Sequence, residues 1–348
     1  MYLHIHSILR KTICAVTASV IGLAFSLTAL ADDAQYDIYD SPVPQNMLVL
    51  GDSIATGYGL EGYKDGREKV DSYANMLLKS YENELPAGKE TLINLAYDGQ
   101  TSAELLDDTL GGKYDSYFET CDIVLISIGG NDLLHTLFRY FSQNSDSVLD
   151  MKDFFGDMDL ADISKLTAGL TRELDKNIEK FGDNISDLYS YISQRTDARI
   201  IIQTVYNPFD NTNISKIFTA FANSKITALN EQIKSHALSD DGSENYTVAD
   251  IYTAFSGQGK ELTNISKMDI HPNVYGHKII FENLDRLIHQ THYQIQVEKP
   301  KTEEAAAAVS DSDEKSSRTY LFIIAGASAA VLAAVCTVIY VKKKGEGK

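Results

Sequence analysis

The sequence has no tryptophan, and only three of its 348 residues are cysteine. Cys14 and Cys336 lie inside apolar runs near the two ends, which leaves Cys121 alone in the rest of the chain. An internal disulfide is therefore excluded there. Stability must come from core packing, even in a compartment where disulfides are permitted. Cys121 precedes an apolar run and reads as a small buried hydrophobe rather than a nucleophile. Cations are also in deficit: 31 Lys and Arg face 49 Asp and Glu, giving a net charge of −18. Segments 1–31 and 320–348 hold six of those cations but only one acid, so the middle of the chain is more acidic still. A surface of that sign repels nucleic acid and anionic headgroups and suits solubility outside the cell. No histidines or cysteines stand at metal-ligand spacing, no segment repeats, and no cofactor is implied.

The two ends read as targeting segments. Arg10-Lys11, a mostly apolar stretch from Thr12 to Leu30, and Ala29-Leu30-Ala31 match a signal peptide over 1–31, with an uncleaved signal anchor as the competing reading. Tyr320–Val341 holds no charge over 22 residues, and a helix of that length reaches ~33 Å, enough to cross a bilayer. Lys342-Lys343-Lys344 follow, so 342–348 is expected as a basic cytoplasmic tail, with the bulk of the protein outside. The lysines, and the lack of an LPxTG-like motif, speak against GPI and sortase anchoring. Residues 297–319 are charged, Ser- and Ala-rich and free of aromatics. As a flexible stalk they span roughly 25–30 Å, so the expected localisation is the cell membrane, with a domain over 32–296 held close to it.

Inside that domain, short apolar runs alternate with stretches of helical period. Strands are expected at Met47–Leu50, Thr91–Ala96, Ile123–Ile128, Ala198–Val205 and Tyr246–Ile251, and helices at Ser72–Leu85, Ile217–Ala237 and Val274–Leu287. This alternation predicts an α/β fold: a three-layer α/β/α sandwich around a five-stranded parallel sheet, with one C-terminal transmembrane helix added. Residues 136–195 lengthen the link between the third and fourth strands and carry a helical pattern, as in a cap or side wall. Ligand sites in such sheets lie beyond the carboxyl ends of the strands.

Polar motifs stand at those ends. Gly51-Asp52-Ser53 follows the first strand, Asp98-Gly99-Gln100 the second and Gly129-Gly130-Asn131-Asp132 the third, while Asp269-Ile270-His271-Pro272-Asn273 opens the last helix. Acyl transfer needs an activated oxygen nucleophile, a base and donors for a developing oxyanion. Ser53, His271 and these loops offer that set. Each piece alone has a plainer reading: Ser53 as a helix N-cap, Gly99 as a turn glycine, His271 as a surface histidine. Their order and spacing together resemble the SGNH (GDSL) hydrolase superfamily across roughly residues 45–290. Tyr206-Asn207-Pro208-Phe209 is similar to the end of strand four in bacterial lipase-like members.

The resemblance implies a flavodoxin-like SGNH hydrolase fold and a GDSL serine esterase or lipase. Ser53 would be the nucleophile, His271 the general base, and Ser53, Gly99 and Asn131 the oxyanion hole. Asp52 and Asp132 are expected to brace their loops. The family acid normally stands three residues before the histidine, where this chain has Met268; Asp269 is two before. Either Asp269 completes a triad or a backbone carbonyl orients the ring and a Ser-His dyad operates, with Asp250 a remoter candidate. His135 and His277 read as flanking surface or helix residues. The expected substrate is an ester, either acetyl on a carbohydrate or a longer acyl chain from a lipid. The alternative is a catalytically silent surface-binding module on the same fold. Gly57-Tyr58-Gly59-Leu60-Glu61-Gly62 spells GxGxxG, but it neither directly follows the strand nor opens a helix, so it reads as a loop near Ser53 rather than a nucleotide site. N-x-S/T sequons stand at Asn184, Asn213, Asn245 and Asn264.

Overall fold

The computed structural model describes residues 36–298, except 65–68, 83, 86–90, 145–159, 215 and 240. The expected signal segment, the membrane helix, the basic tail and nearly all of the stalk lie outside the described residues. Among the described residues, no helix is long and apolar enough to cross a membrane. The chain divides into a unit at Ile38–Ile295 and a second made of the terminal segments; the first is described below.

Its centre is a five-stranded parallel sheet in the order β3-β2-β4-β5-β6: β2 Asn46–Gly51, β3 Thr91–Asn94, β4 Ile123–Ser127, β5 Arg199–Gln203 and β6 Thr247–Ala249. The expected strands are all present, with the second to fifth shorter at their ends. β4 is buried along its whole length, the state that a continuous apolar run selects. Two further strands, β1 Tyr36–Ser41 and β7 Tyr293–Glu298, form a separate two-stranded sheet that the sequence reading missed. β7 runs two residues into the segment read as stalk.

Helices cover both faces. Leu48, Leu50, Val124, Ile126, Ile200 and Ile202 face one core, which is filled from α3 (Ser102–Leu110), α6 (Leu160–Ser193) and α7 (Lys216–Ser235). On the other face Met47, Val49, Leu125 and Ile201 are equally buried, and α2 (Tyr73–Tyr81) and α10 (Val274–Ile288) pack together, reaching β3 and β6. The remaining helices are short or stand at the rim: α1 Ser53–Thr56, α4 Asp115–Phe118, α5 Gly130–Asn144, α8 Ile251–Phe255 and α9 Gly259–Leu262. Local sequence chemistry sets several starts. Thr101 and Glu104 form a reciprocal capping box on α3, and the Asn273 side chain accepts from the N–H groups of Tyr275 and Gly276 at the head of α10.

The long link between β4 and β5 holds α5 and the 34-residue α6. Asn177 Nδ2 donates to Asp132 O at 2.7 Å, and Tyr140 lies over Gly169. The two helices therefore run antiparallel along one flank of the sheet's carboxyl edge, as a side wall.

Candidate active site

Ser53 owes its position to Gly51. At Gly51 φ is +122° and a Cβ would stand 1.8 Å from Ser127 O, so only glycine lets the end of β2 press against β4. Asp52 N then donates to Ser127 O at 2.9 Å, and the Asp52 carboxylate caps α1 by accepting from Ile54 N at 3.1 Å. Ser53 thus opens a one-turn helix directly off the end of β2. Asp52 is buried, and desolvation pushes its pKa up to about 7.

His271 reaches the same point from 218 residues away: its Nε2 lies 2.9 Å from Ser53 Oγ. On the other side of the ring, Nδ1 lies 2.5 Å from Asp269 Oδ1, which also accepts from the His271 backbone N–H at 3.0 Å. The offset of the acid has a local cause. Met268 caps the 3-10 turn Ile265–Lys267 in the left-handed region, with φ +63°. That reversal leaves Met268 exposed and folds the carboxylate of Asp269 back onto the imidazole. Asp250 is committed elsewhere, to the head of α8 and to Lys234.

Two of the expected oxyanion donors, Gly99 on the loop after β3 and Asn131 at the head of α5, stand on segments tied to each other. Asn131 Nδ2 donates to Gln100 O at 3.0 Å. The β3 loop is fixed to the Ser53 turn by Tyr97 N donating to Gly51 O at 3.0 Å and Thr56 Oγ1 donating to Asp98 Oδ1 at 2.6 Å. Gly99 has φ +82°, and a Cβ there would meet nothing within 4 Å, so it borders open space. Asp132 braces this rim: it accepts from Ser102 Oγ at 2.6 Å and Ser102 N at 3.0 Å. Asn184 Nδ2 donates to the same hydroxyl at 2.8 Å, so this sequon asparagine is a buried structural residue.

Three features escaped the sequence reading. The Tyr58 ring packs 4.6 Å from the His271 ring, centroid to centroid, and Asn264 Nδ2 donates to Gly59 O at 3.2 Å. The GxGxxG stretch is thus a flap against the histidine loop. Tyr206 OH donates to Ile270 O at 2.9 Å, so the YNPF segment supports the same loop. His277, read as a flanking surface or helix residue, is a residue of α10 but fully buried. Its Nδ1 accepts from Tyr73 N at 3.3 Å, and burial pushes its pKa down to about 3. The spacing of the buried residues Gly276, His277, Ile280, Leu284 and Ile288 along α10 carried that signal. Cys121 is half-buried with its thiol pushed up to about 11 by desolvation, which disfavours thiolate chemistry. Among the described residues, no group of three or more His, Cys, Asp or Glu could hold a metal.

A serine, an imidazole and a carboxylate in one line, with an amide at the head of α5, can perform acyl transfer. Residues 49–279 match the model of the GDSL-like lipase/acylhydrolase family. The chain belongs to that family. As a GDSL-family hydrolase it acts on ester bonds. It is 23% identical over 286 residues to the uncharacterized protein YpmR of Bacillus subtilis (strain 168), covering 80% of this chain and 97% of the relative. Three solved structures share the fold. A lipase from a goat rumen metagenome is 19% identical with a TM-score of 0.51, over 70% of this chain and 96% of that one. An extracellular lipase from Streptomyces rimosus is 17% identical, TM-score 0.51, over 70% and 99%. A phospholipase A1 from Streptomyces albidoflavus NA297 is 16% identical, TM-score 0.52, over 70% and 99%.

Proposed function

We propose that this GDSL hydrolase cleaves carboxylic esters through an acyl-serine intermediate, with Ser53 as nucleophile, His271 as general base and acid, and Asp269 as the orienting carboxylate. The observation that carries the reading is the continuous line Ser53 Oγ, His271 Nε2, His271 Nδ1, Asp269 Oδ1. His271 Nε2 takes the Ser53 proton as Oγ bonds to the ester carbonyl carbon. The resulting oxyanion is met by the backbone N–H groups of Ser53 and Gly99 and by the Asn131 side chain. Collapse breaks the carbon–oxygen bond to the alcohol, which leaves with the proton from His271. Water, deprotonated by His271, then attacks the acyl carbon, and Ser53 recovers its proton as the acid departs.

Asp269 favours the imidazole tautomer with its proton on Nδ1, leaving Nε2 free to accept. The displaced acid was the only sign of a silent binding module, and its contact with Nδ1 argues against that alternative. The apolar 320–341 segment followed by three lysines, with the 1–31 segment, supports a site held outside the cell by a membrane helix. A fluorophosphonate probe tests the chemistry: it is expected to label the protein, and to fail on Ser53→Ala. Equal labelling of both would locate the nucleophile elsewhere.

A further inference from the structure

The side wall has its own chemistry. Leu133 and Leu137 of α5, Leu174 of α6 and Phe218 and Phe221 of α7 pack as a second apolar cluster beside the site. A cavity of about 110 Å³ lies among them, also lined by Ile54, Gly130 and Ile270, the sequence neighbours of Ser53, Asn131 and His271. It therefore lies against the three chain segments that carry Ser53, Asn131 and His271. Among the described residues Lys225 is the one charged residue in its lining, and its ammonium is held by Asp175 of α6 at 2.5 Å, an ion pair that ties α6 to α7. The single hydroxyl that the described residues give the lining, on Tyr206, is already given to Ile270 O.

We propose that this cavity is the acyl-chain site, and that the α5–α6 wall makes the protein an esterase of medium or longer fatty acyl groups rather than of acetyl. The proposal rests on Ser53 being the nucleophile and adds the substrate class. A sugar placed against this lining would lose its water without gaining partners. An acetyl group would leave the lining unfilled. Each methylene buried from water contributes ~0.8 kcal/mol, so two added methylenes raise transition-state binding about tenfold where they fit.

The test is kcat/KM of the full chain on p-nitrophenyl acetate, butyrate, hexanoate, octanoate and decanoate. The expected octanoate-to-acetate ratio is tenfold or more. Ala222 lines the cavity, and Ala222→Phe, which fills it, is expected to lower that ratio about tenfold and move the optimum to shorter chains. Phe138, exposed at 43% while lining the cavity, allows a change with little risk to folding; Phe138→Ala is expected to lower the ratio as well. Acetate cleaved as well as or better than octanoate would overturn the proposal while leaving the serine mechanism standing. So would a long-chain preference that neither variant alters. Absence of cleavage of every ester together with absence of probe labelling would remove the mechanism itself, and the proposal with it.

Discussion

Asp269 grips His271 twice, its Oδ1 accepting from both the ring Nδ1 and the backbone N–H of the same residue. The double contact fixes the ring's orientation and tautomer together, through a carboxylate one position nearer in sequence than the family pattern supplies. Ser53→Ala and His271→Ala are expected to abolish ester hydrolysis. Asp269→Ala is expected to lower kcat by roughly 10⁴-fold, the loss typical when the orienting acid of a triad is removed. A change of less than tenfold in Asp269→Ala, measured on p-nitrophenyl esters, would mean that a dyad suffices.

Asn131 stands at the head of α5 with one amide proton given to Gln100 O. Asn131→Ala is expected to lower kcat by about 10²-fold, or ~3 kcal/mol, with a smaller change in KM, as for loss of one oxyanion donor. A variant that raises KM alone would assign Asn131 to ground-state binding.

Gly51 and Gly99 make a contrasting pair. Gly51→Ala places a methyl on Ser127 O and is expected to cost more than about 4 kcal/mol, enough to unfold many domains. Gly99→Ala meets no atom, so only the left-handed backbone opposes it, at ~1–2 kcal/mol. It is expected to fold and to lose activity, because its methyl enters the space bordering the nucleophile. Thermal melts with ester assays on both variants check this; a Gly99→Ala enzyme of full activity would place the substrate elsewhere.

Asp52 and His277 impose opposite pH dependences on stability. The folded pKa of Asp52, about 7, lies above its unfolded value of 3.8, so the folded state holds a proton there that the unfolded state releases. Its contribution declines as pH rises from about 4 to 7. The folded pKa of His277, about 3, lies below its unfolded value of 6.5, so its contribution is complete above 6.5 and lost as pH falls. Between pH 4.5 and 6.5 the two slopes offset each other. Asp52→Asn is expected to expose the histidine slope, losing up to about 3 kcal/mol relative to wild type on going from pH 6.5 to 4.5. His277→Asn is expected to show the reverse. Urea melts at the two pH values decide it, and parallel behaviour of both variants with wild type would show that neither buried group sets the profile.

The sheet was legible because its inner strands hold continuous apolar runs such as Ile123–Ile126, and the site because its motifs stand where the strands end. Neither signal exists for β1, whose Tyr36–Asp40 stretch is exposed throughout. The reach of Asp269 was not legible because it depends on one left-handed residue, Met268, of a type that seldom adopts that conformation. Tyr58 and Tyr206 act through a ring contact and a hydroxyl that cross between distant loops, which no local pattern records. The link between β4 and β5 announced helices but not that α5 and α6 would pair and leave a cavity beside Ser53.

The proposed nucleophile Ser53 and proposed base His271 are separated by 218 residues, and the imidazole arrives only with the loop that precedes α10. A chain that stalls during synthesis, or is clipped before His271, carries the hydroxyl without the imidazole. Hydrolysis by this pair therefore requires a polypeptide complete through the loop before α10, so a copy cut short of that point sets no hydrolytic fragment loose.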